Sequence, residues 1–237
     1  MQKKWIWCLG LICLMANTPP LKTKRILVFS KTKGYRHKSI EAGKSMFLQL
    51  GQQLQWVVDT TEDANVFTKL SKSYQVVVFL NTSGDVLDST QQLGLQQFIR
   101  HGGSFLGIHA ATDTEYDWPW FHDLIGAYFG GHPKQQNAMF HLVNQPFAAT
   151  ANLPDSMLLF EEIYNFKAVN HHKINVVMTV DETSYQGGNM GVQHPICWWQ
   201  HYDGGKMFYT ALGHNAECYT NPQFVQLISN ALGWLQR

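Results

Sequence analysis

Histidines are the residues of this 237-residue chain that most directly suggest chemistry, because there are eleven of them. Several stand beside glycine, proline or small polar residues where an apolar run or a loop ends, and another precedes a proline at the start of an apolar run. The histidines of the first kind are His37, His109, His132 and His214, and the one that precedes a proline is His194. Imidazole changes protonation near neutral pH and also binds metals, so acid/base catalysis, hydrogen bonding and metal binding are all open.

His109 ends the apolar run Phe105–Ile108, and small residues follow it at Ala110 and Ala111. An apolar run without alternation is typical of a strand buried on both faces. The pattern therefore predicts His109 at the carboxyl end of a parallel strand, where open α/β sheets hold their ligands. A core-edge histidine bonded to a backbone carbonyl is the alternative interpretation.

Convergence of three imidazoles would create a candidate site for a divalent metal such as zinc. The candidate ligands are His109, His132 and His214, with Asp113 or Glu162 as a nearby carboxylate. The sequence has no His-x-x-x-His or Cys-x-x-Cys pair, which is the spacing that would make a metal site diagnostic. The cofactor is therefore unknown from the sequence. Instead of binding a metal, these histidines could form hydrogen bonds or act in acid/base catalysis.

Two adjacent carboxylates, Glu161 and Glu162, precede Tyr164. In extended backbone they point to opposite faces, so at most one of them can share a pocket with Tyr164. A solvated charge pair and a functional Glu162 are both open. Aromatic residues such as Trp118 and Phe129 could stack on the apolar face of a sugar, although core packing is their commoner use.

Two familiar catalytic patterns are missing from the sequence. The loop at residues 32–37 has a single glycine, so it is neither a phosphate-binding Walker loop nor a dinucleotide fingerprint. No Gly-x-Ser-x-Gly sequence occurs, which argues against a serine hydrolase of the nucleophile-elbow type.

The elements that must position these residues follow a strand–helix alternation in the first half of the chain. Apolar runs predict strands at 25–30, 54–59, 74–80 and 105–108, with helices at 38–50 and 90–101 and a short helix beginning near Asp63. Later strands are predicted at 139–143, 174–180, 196–200 and 207–211, and a closing helix at 222–235. This pattern predicts an α/β fold with a doubly wound, mostly parallel sheet and antiparallel additions.

Composition favours one globular domain that binds a small, neutral partner. The chain is 45% hydrophobic and 15% charged, and its formal net charge is only +1. A chain so close to neutrality has no overall attraction to nucleic acid or to an anionic membrane. We therefore expect no nucleic-acid partner, and a homo-oligomer is left open.

The first 18 residues read as a signal peptide, because Lys3 and Lys4 precede the apolar run 5–15 and small residues follow it. We expect an exported protein, periplasmic or secreted, with no integral membrane span in the mature chain. A lipoprotein anchor on Cys13 is less favoured because the preceding Ile12 is bulky. The mature chain would keep Cys197 and Cys218 as structural thiols, with a single bridge between them left open.

Taken together, the motifs resemble those of the ThuA-like family, which is named for trehalose utilisation. The resemblance covers residues 24–236 as one ThuA-like domain. It rests on the segments 34–37, 107–112, 126–133, 162–164, 194–195 and 208–214. It implies a flavodoxin-like fold, related to class I glutamine amidotransferases. Those relatives use a cysteine where this chain has His109, so cysteine chemistry is not implied.

The resemblance also implies a role in carbohydrate breakdown, on disaccharides or their keto forms, by acid/base or metal-assisted chemistry. A non-catalytic sugar-binding or accessory protein is the alternative, and an amidohydrolase built on Cys197 is disfavoured. The expected catalytic residues are His109, His132, Glu162 and His214. The expected substrate-binding residues are His37, Asp113, Tyr164 and His194.

Overall fold

The structure is a computed structural model that describes residues 24–70, 72–143 and 146–236. The predicted signal peptide, residues 1–18, lies outside the described residues, as does Cys13. Both remaining cysteines, Cys197 and Cys218, are free thiols, so the bridge left open by the sequence is not formed. No helix in the described ranges is long and apolar enough to cross a membrane.

Eleven strands and four α-helices make up the framework of the described residues. The strands are β1 Arg25–Phe29, β2 Val57–Thr61, β3 Val76–Leu80, β4 Ser104–Ile108, β5 Tyr128–Gly131, β6 Gln136–Leu142, β7 Ser156–Glu161, β8 Asn165–Lys167, β9 Asn175–Val180, β10 Pro195–Tyr202 and β11 Gly205–Thr210. The helices are α1 Ile40–Leu54, α2 Ser89–Arg100, α3 Pro119–Ile125 and α4 Pro222–Leu235.

Nine of these strands form one sheet in the order β2-β1-β3-β4-β11-β10-β9-β6-β7. The first five run parallel to one another, and every later pairing is antiparallel. The parallel half has the strand order of flavodoxin-like folds. The predicted fold, a mostly parallel doubly wound sheet with antiparallel additions, is confirmed. Strands β5 and β8 form a separate antiparallel pair.

The parallel strands form the centre of the core. All five residues of β3 and all five of β4 are buried, as expected for strands covered on both faces. Helix α4 adds an apolar stripe that includes Phe224, Ile228 and Leu232. Helix α2 begins with a capping box in which Asp88 and Gln91 satisfy each other's backbone N–H groups.

Some element boundaries differ from the sequence-based expectation. Helix α1 continues to Leu54, so the second strand begins only at Val57. Strands β5, β7 and β8 were not predicted; β5 lies within the glycine-rich segment 126–133. Strand β7 escapes prediction because Leu158 and Phe160 are apolar yet exposed, which removes the alternation that marks a half-buried strand.

This topology brings distant segments together at one edge. The chain leaves β1, β3, β4 and β11 at their carboxyl ends, and the turns after β4 and β11 carry His109 and His214. The segment after β1 leads to His37. Strand β7 lies at the far end of the sheet order, yet its last residue, Glu161, hydrogen-bonds the turn after β11.

Candidate metal and substrate site

His109 sits at a sharp turn directly after β4, with φ of 48°, a left-handed conformation that is uncommon for residues other than glycine. Its ring is fully buried, and Nδ1 lies 2.6 Å from the carbonyl oxygen of Ala211. A carbonyl can only accept a hydrogen bond, so Nδ1 carries the ring proton. The other nitrogen, Nε2, faces the neighbouring side chains.

Four side chains, that of His109 included, converge around this nitrogen. His37, His109, Glu162 and His214 each place one ligand-type atom within 4.8 Å of the others, and we call these four residues the quartet. Within it, Nε2 of His109 lies 3.4 Å from Oε2 of Glu162. Nδ1 of His214 lies 3.0 Å from the same oxygen and 3.3 Å from Nε2 of His109. Two ligand atoms of a tetrahedral zinc ion are separated by about 3.3 Å, given metal–ligand bonds of about 2.05 Å.

The electrostatics of the quartet favour a cation at its centre. Nε2 of His109 and Oε2 of Glu162 lie 3.4 Å apart, and Nδ1 of His214 lies within 3.3 Å of both. Because the Gln135 amide donates to Nε2 of His214, Nδ1 carries the ring proton that lies between them. Burial acts to raise the pKa of Glu162, but the imidazoles of His109 and His214 outweigh it and hold that pKa well below its ordinary value. The carboxylate is thus ionised, and either a ring proton or a metal ion satisfies this cluster.

His37 has the properties of a neutral ligand. Its ring is 5% exposed, and its Nδ1 is buried with no hydrogen-bond partner among the described residues. Burial, with smaller contributions from His109 and His214, lowers the pKa of His37 to about 3. A metal ion binds only deprotonated imidazole, so His37 is already in the binding state at neutral pH. An unsatisfied buried nitrogen is also a sign of a missing partner.

His132 occupies a different position from the one expected of a metal ligand. Its Nδ1 lies 2.9 Å from the carbonyl oxygen of Pro133 and 3.2 Å from Oε1 of Glu162, the oxygen that does not face His109. The side chain is 38% exposed and is not part of the quartet. The structure therefore groups His109 and His214 with His37 and Glu162, whereas the sequence grouped them with His132. The Pro133 carbonyl places the proton on Nδ1 and leaves Nε2 as a base.

A cavity of ≈ 340 Å³ opens beside the quartet. Aromatic rings form much of its wall: the ring of Tyr164 lies 4.1 Å from that of His109, and the ring of Phe129 lies 4.4 Å from Tyr164. Tyr35, which is 62% exposed, stands beside His37. The lining residues are Tyr35, His37, Asp113, Phe129, His132, Gln135, Glu162, Tyr164 and His214. None of these is a lysine or an arginine.

Asp113 and Tyr164, two of the expected substrate-binding residues, line this cavity. Tyr116 donates a hydrogen bond of 2.7 Å to Oδ1 of Asp113, and burial raises the pKa of Asp113. His194 does not line it. The His194 ring is completely buried, with Nε2 2.7 Å from the backbone oxygen of Tyr164 and Nδ1 2.8 Å from Glu182. His194 thus supports the Tyr164 segment from behind.

Two lining residues, Tyr35 and Gln135, were missed by the sequence-based expectation. The amide nitrogen of Gln135 lies 2.7 Å from Nε2 of His214, and Tyr35 supplies aromatic wall together with Phe129, which the sequence had offered as a stacking ring. Tyr35 could have been found from its place next to His37, whereas nothing in the sequence marks Gln135. Trp118 is not a lining residue, because it stacks on Trp120 at 4.9 Å.

Comparison with protein families gives one match over nearly all of the described chain. The family model called ThuA, described as trehalose utilisation, matches residues 25–235. A search among curated proteins found no match.

Solved structures resemble this chain over most of its length. A ThuA-like protein from Bacteroides uniformis is 22% identical, with a TM-score of 0.75, and 95% of each chain is covered. A ThuA-like protein from Parabacteroides merdae is 17% identical, with a TM-score of 0.75, and 91% of this chain and 90% of that one are covered. A β-galactosidase from Bacillus circulans is 14% identical, with a TM-score of 0.58, and 88% of this chain matches 30% of that one. At these identities the likeness shows the fold alone.

Proposed function

Because the chain belongs to the ThuA family, associated with trehalose utilisation, we propose that it is an exported, metal-dependent enzyme acting on a disaccharide or keto-disaccharide. The observation that carries the proposal is the triangle formed by Nε2 of His109, Nδ1 of His214 and Oε2 of Glu162, with sides of 3.0, 3.3 and 3.4 Å. These are the separations of three ligands on one face of a tetrahedral metal site.

The proposed ligands are the quartet, His37, His109, Glu162 and His214. The hydrogen bond from Nδ1 of His109 to the Ala211 carbonyl fixes the tautomer and the ring orientation, as is usual for metal-binding histidines. Zinc suits imidazole and carboxylate ligands, and when bound with a coordination position left for the substrate it would polarise a sugar oxygen as a Lewis acid.

Proton transfer is assigned to His132. Its Nδ1–H is held by the Pro133 carbonyl and by Oε1 of Glu162, so Nε2 is a base of fixed orientation. A neutral imidazole is suited to removing a proton beside a keto group near neutral pH. Asp113 lies on the same cavity and has one oxygen occupied by Tyr116, which leaves the other for a substrate hydroxyl.

The cavity lining supports an uncharged substrate. With no lysine or arginine among the lining residues, a phosphate or carboxylate group would have no bidentate partner. The rings of Tyr164, Phe129 and Tyr35 offer flat apolar surfaces of the kind on which a sugar face can stack. An unphosphorylated sugar fits these walls.

The test is metal content and turnover of the purified protein. We expect about one divalent ion per chain and turnover of an ordinary or a keto-disaccharide that is lost on chelation and restored by zinc. Glu162→Gln should lose both metal and turnover. His132→Gln should keep the metal but lose about 10²–10⁴-fold in kcat, the range typical of general acid/base groups.

The exposed His172 provides the matched control, because His172→Gln removes an imidazole that does not line the cavity. It should leave both metal content and turnover unchanged. A protein that binds disaccharide without metal and turns over neither sugar form would contradict the proposal. That result would instead support the non-catalytic, sugar-binding alternative.

A further inference from the structure

Gly213, the residue before His214, binds the segments that carry the quartet through its backbone N–H and carbonyl groups. Its carbonyl oxygen accepts hydrogen bonds from Ser39 Oγ at 3.2 Å, Asn81 Nδ2 at 3.3 Å and the Tyr219 hydroxyl at 2.9 Å. Its N–H donates to Oε1 of Glu161 at 3.1 Å. Both backbone groups of Gly213 are thus held by buried side chains.

The partners of Gly213 lie next to quartet residues in the chain or contact their turns. Ser39 is two residues beyond His37, and Asn81 accepts a hydrogen bond of 3.5 Å from the N–H of Ala110, the residue after His109. Glu161 directly precedes Glu162. All four ligand-bearing segments are therefore linked through the backbone of Gly213.

Glu161 makes the most direct of these links, because its two oxygens bind two different segments. Oε1 accepts from the Gly213 N–H, and Oε2 accepts from the N–H of Glu162 at 3.1 Å. The side chain is buried, with 2% of the residue exposed. Successive residues of an extended strand point to opposite faces, so the same alternation that sends Glu162 into the cavity sends Glu161 towards Gly213.

We infer that Glu161 is a positioning residue, whose carboxylate sets the separation between the Glu162 and His214 side chains by binding both backbones. This inference rests on the proposed metal site. A carboxylate suits the role because both of its oxygens accept hydrogen bonds. In glutamine one of the two becomes an NH2 group, a donor that would face a backbone N–H.

The test compares Glu161→Gln with the wild-type protein by titrating the metal-free chain with Co²⁺, whose visible absorption reports coordination geometry. We expect the variant to bind Co²⁺ about 10- to 100-fold more weakly, the usual cost of altering an outer partner of a metal ligand, with a changed spectrum. Glu161→Asp, which keeps two acceptor oxygens, should recover part of the affinity. It also provides a second variant if the glutamine form folds poorly.

Glu115→Gln is the matched control. Glu115 is also buried and also accepts a backbone N–H, from Leu87 at 2.8 Å, together with the Gln92 amide, but it binds neither ligand segment. Its replacement should lower stability and leave Co²⁺ affinity and spectrum unchanged. Equal affinity and spectrum in Glu161→Gln and the wild type would overturn the inference while leaving the metal site intact.

A second measurement separates failure of this inference from failure of the proposed function. In the metal-free proteins, NMR of the Gly213 and Glu162 amides and of the His214 ring should show displaced resonances in Glu161→Gln. If wild-type protein binds no Co²⁺, the proposed function fails, and these spectra alone decide the positioning role. An unchanged His214 ring would overturn it.

Discussion

The buried imidazole of His37 should make the metal-free protein lose stability in mild acid. Its pKa is about 3 in the folded protein, against an ordinary value of 6.5 that applies to the unfolded chain. As the pH falls below 6.5, His37 binds a proton in the unfolded chain but not in the folded protein. The free energy of unfolding therefore decreases over the interval between the two pKa values and not above it.

The size of the effect follows from the same two pKa values. Each pKa unit corresponds to about 1.4 kcal/mol, so the full interval amounts to about 5 kcal/mol, and the part between pH 7.5 and pH 5 to about 2 kcal/mol. His37→Gln removes the titrating ring and with it this part of the acid sensitivity. Groups that do not interact with His37 titrate in both proteins and cancel in the difference.

The assay is urea unfolding of wild-type and His37→Gln protein in the presence of chelator, at several values between pH 7.5 and pH 5. As the pH is lowered from 7.5 to 5, the free energy of unfolding of the variant minus that of the wild type should increase by about 2 kcal/mol. Lys38→Gln is the matched control, because it changes an exposed neighbour in the same segment; its difference from the wild type should stay constant. Parallel curves for His37→Gln and the wild type would refute the reasoning about burial.

Three further predictions concern other parts of the chain. Gly213→Ala should destabilise the protein and weaken metal binding, because Gly213 has φ of +117° and an added Cβ would lie 2.9 Å from Ile108 Cγ2; an unchanged melting temperature and metal affinity would contradict this. Asp88→Ala should cost about 1 kcal/mol by removing the cap on Gln91 N–H, lowering the melting temperature by about 2–4 °C, whereas Asp88→Ser should retain most of the stability. Expression of the full chain with its leader in a Gram-negative bacterium should yield a periplasmic or secreted product lacking about the first 18 residues by intact mass. A product that retains them would disprove cleavage.

Part of the site could be predicted because it depends on local rules. An apolar run that ends at His109 places that residue at a strand terminus, and the carboxyl ends of parallel strands share one edge of a sheet. The same rule brings in His214 after β11. The alternation of extended backbone also places Glu161 and Glu162 on opposite faces from the sequence pattern alone.

Which position each histidine takes in the site could not be predicted from the sequence. His37 and His132 stand in similar surroundings in the sequence, yet one is buried beside His109 and the other is 38% exposed on the far side of Glu162. His194 supports Tyr164 instead of lining the cavity. Which imidazoles meet depends on loop conformations and on contacts between residues more than a hundred positions apart, such as His109 with His214.

Periodicity and turn chemistry act over short stretches of chain, so the sequence alone was enough to predict the parallel half of the sheet and the position of His109 at its carboxyl edge. The arrival of Glu162 beside histidines from the opposite half of the sheet, at the end of the irregularly patterned edge strand β7, follows from tertiary packing. The position of Glu162 depends on how the antiparallel strands pack beside the parallel half of the sheet. Such packing involves side chains from the whole core and cannot be inferred from any short stretch of sequence.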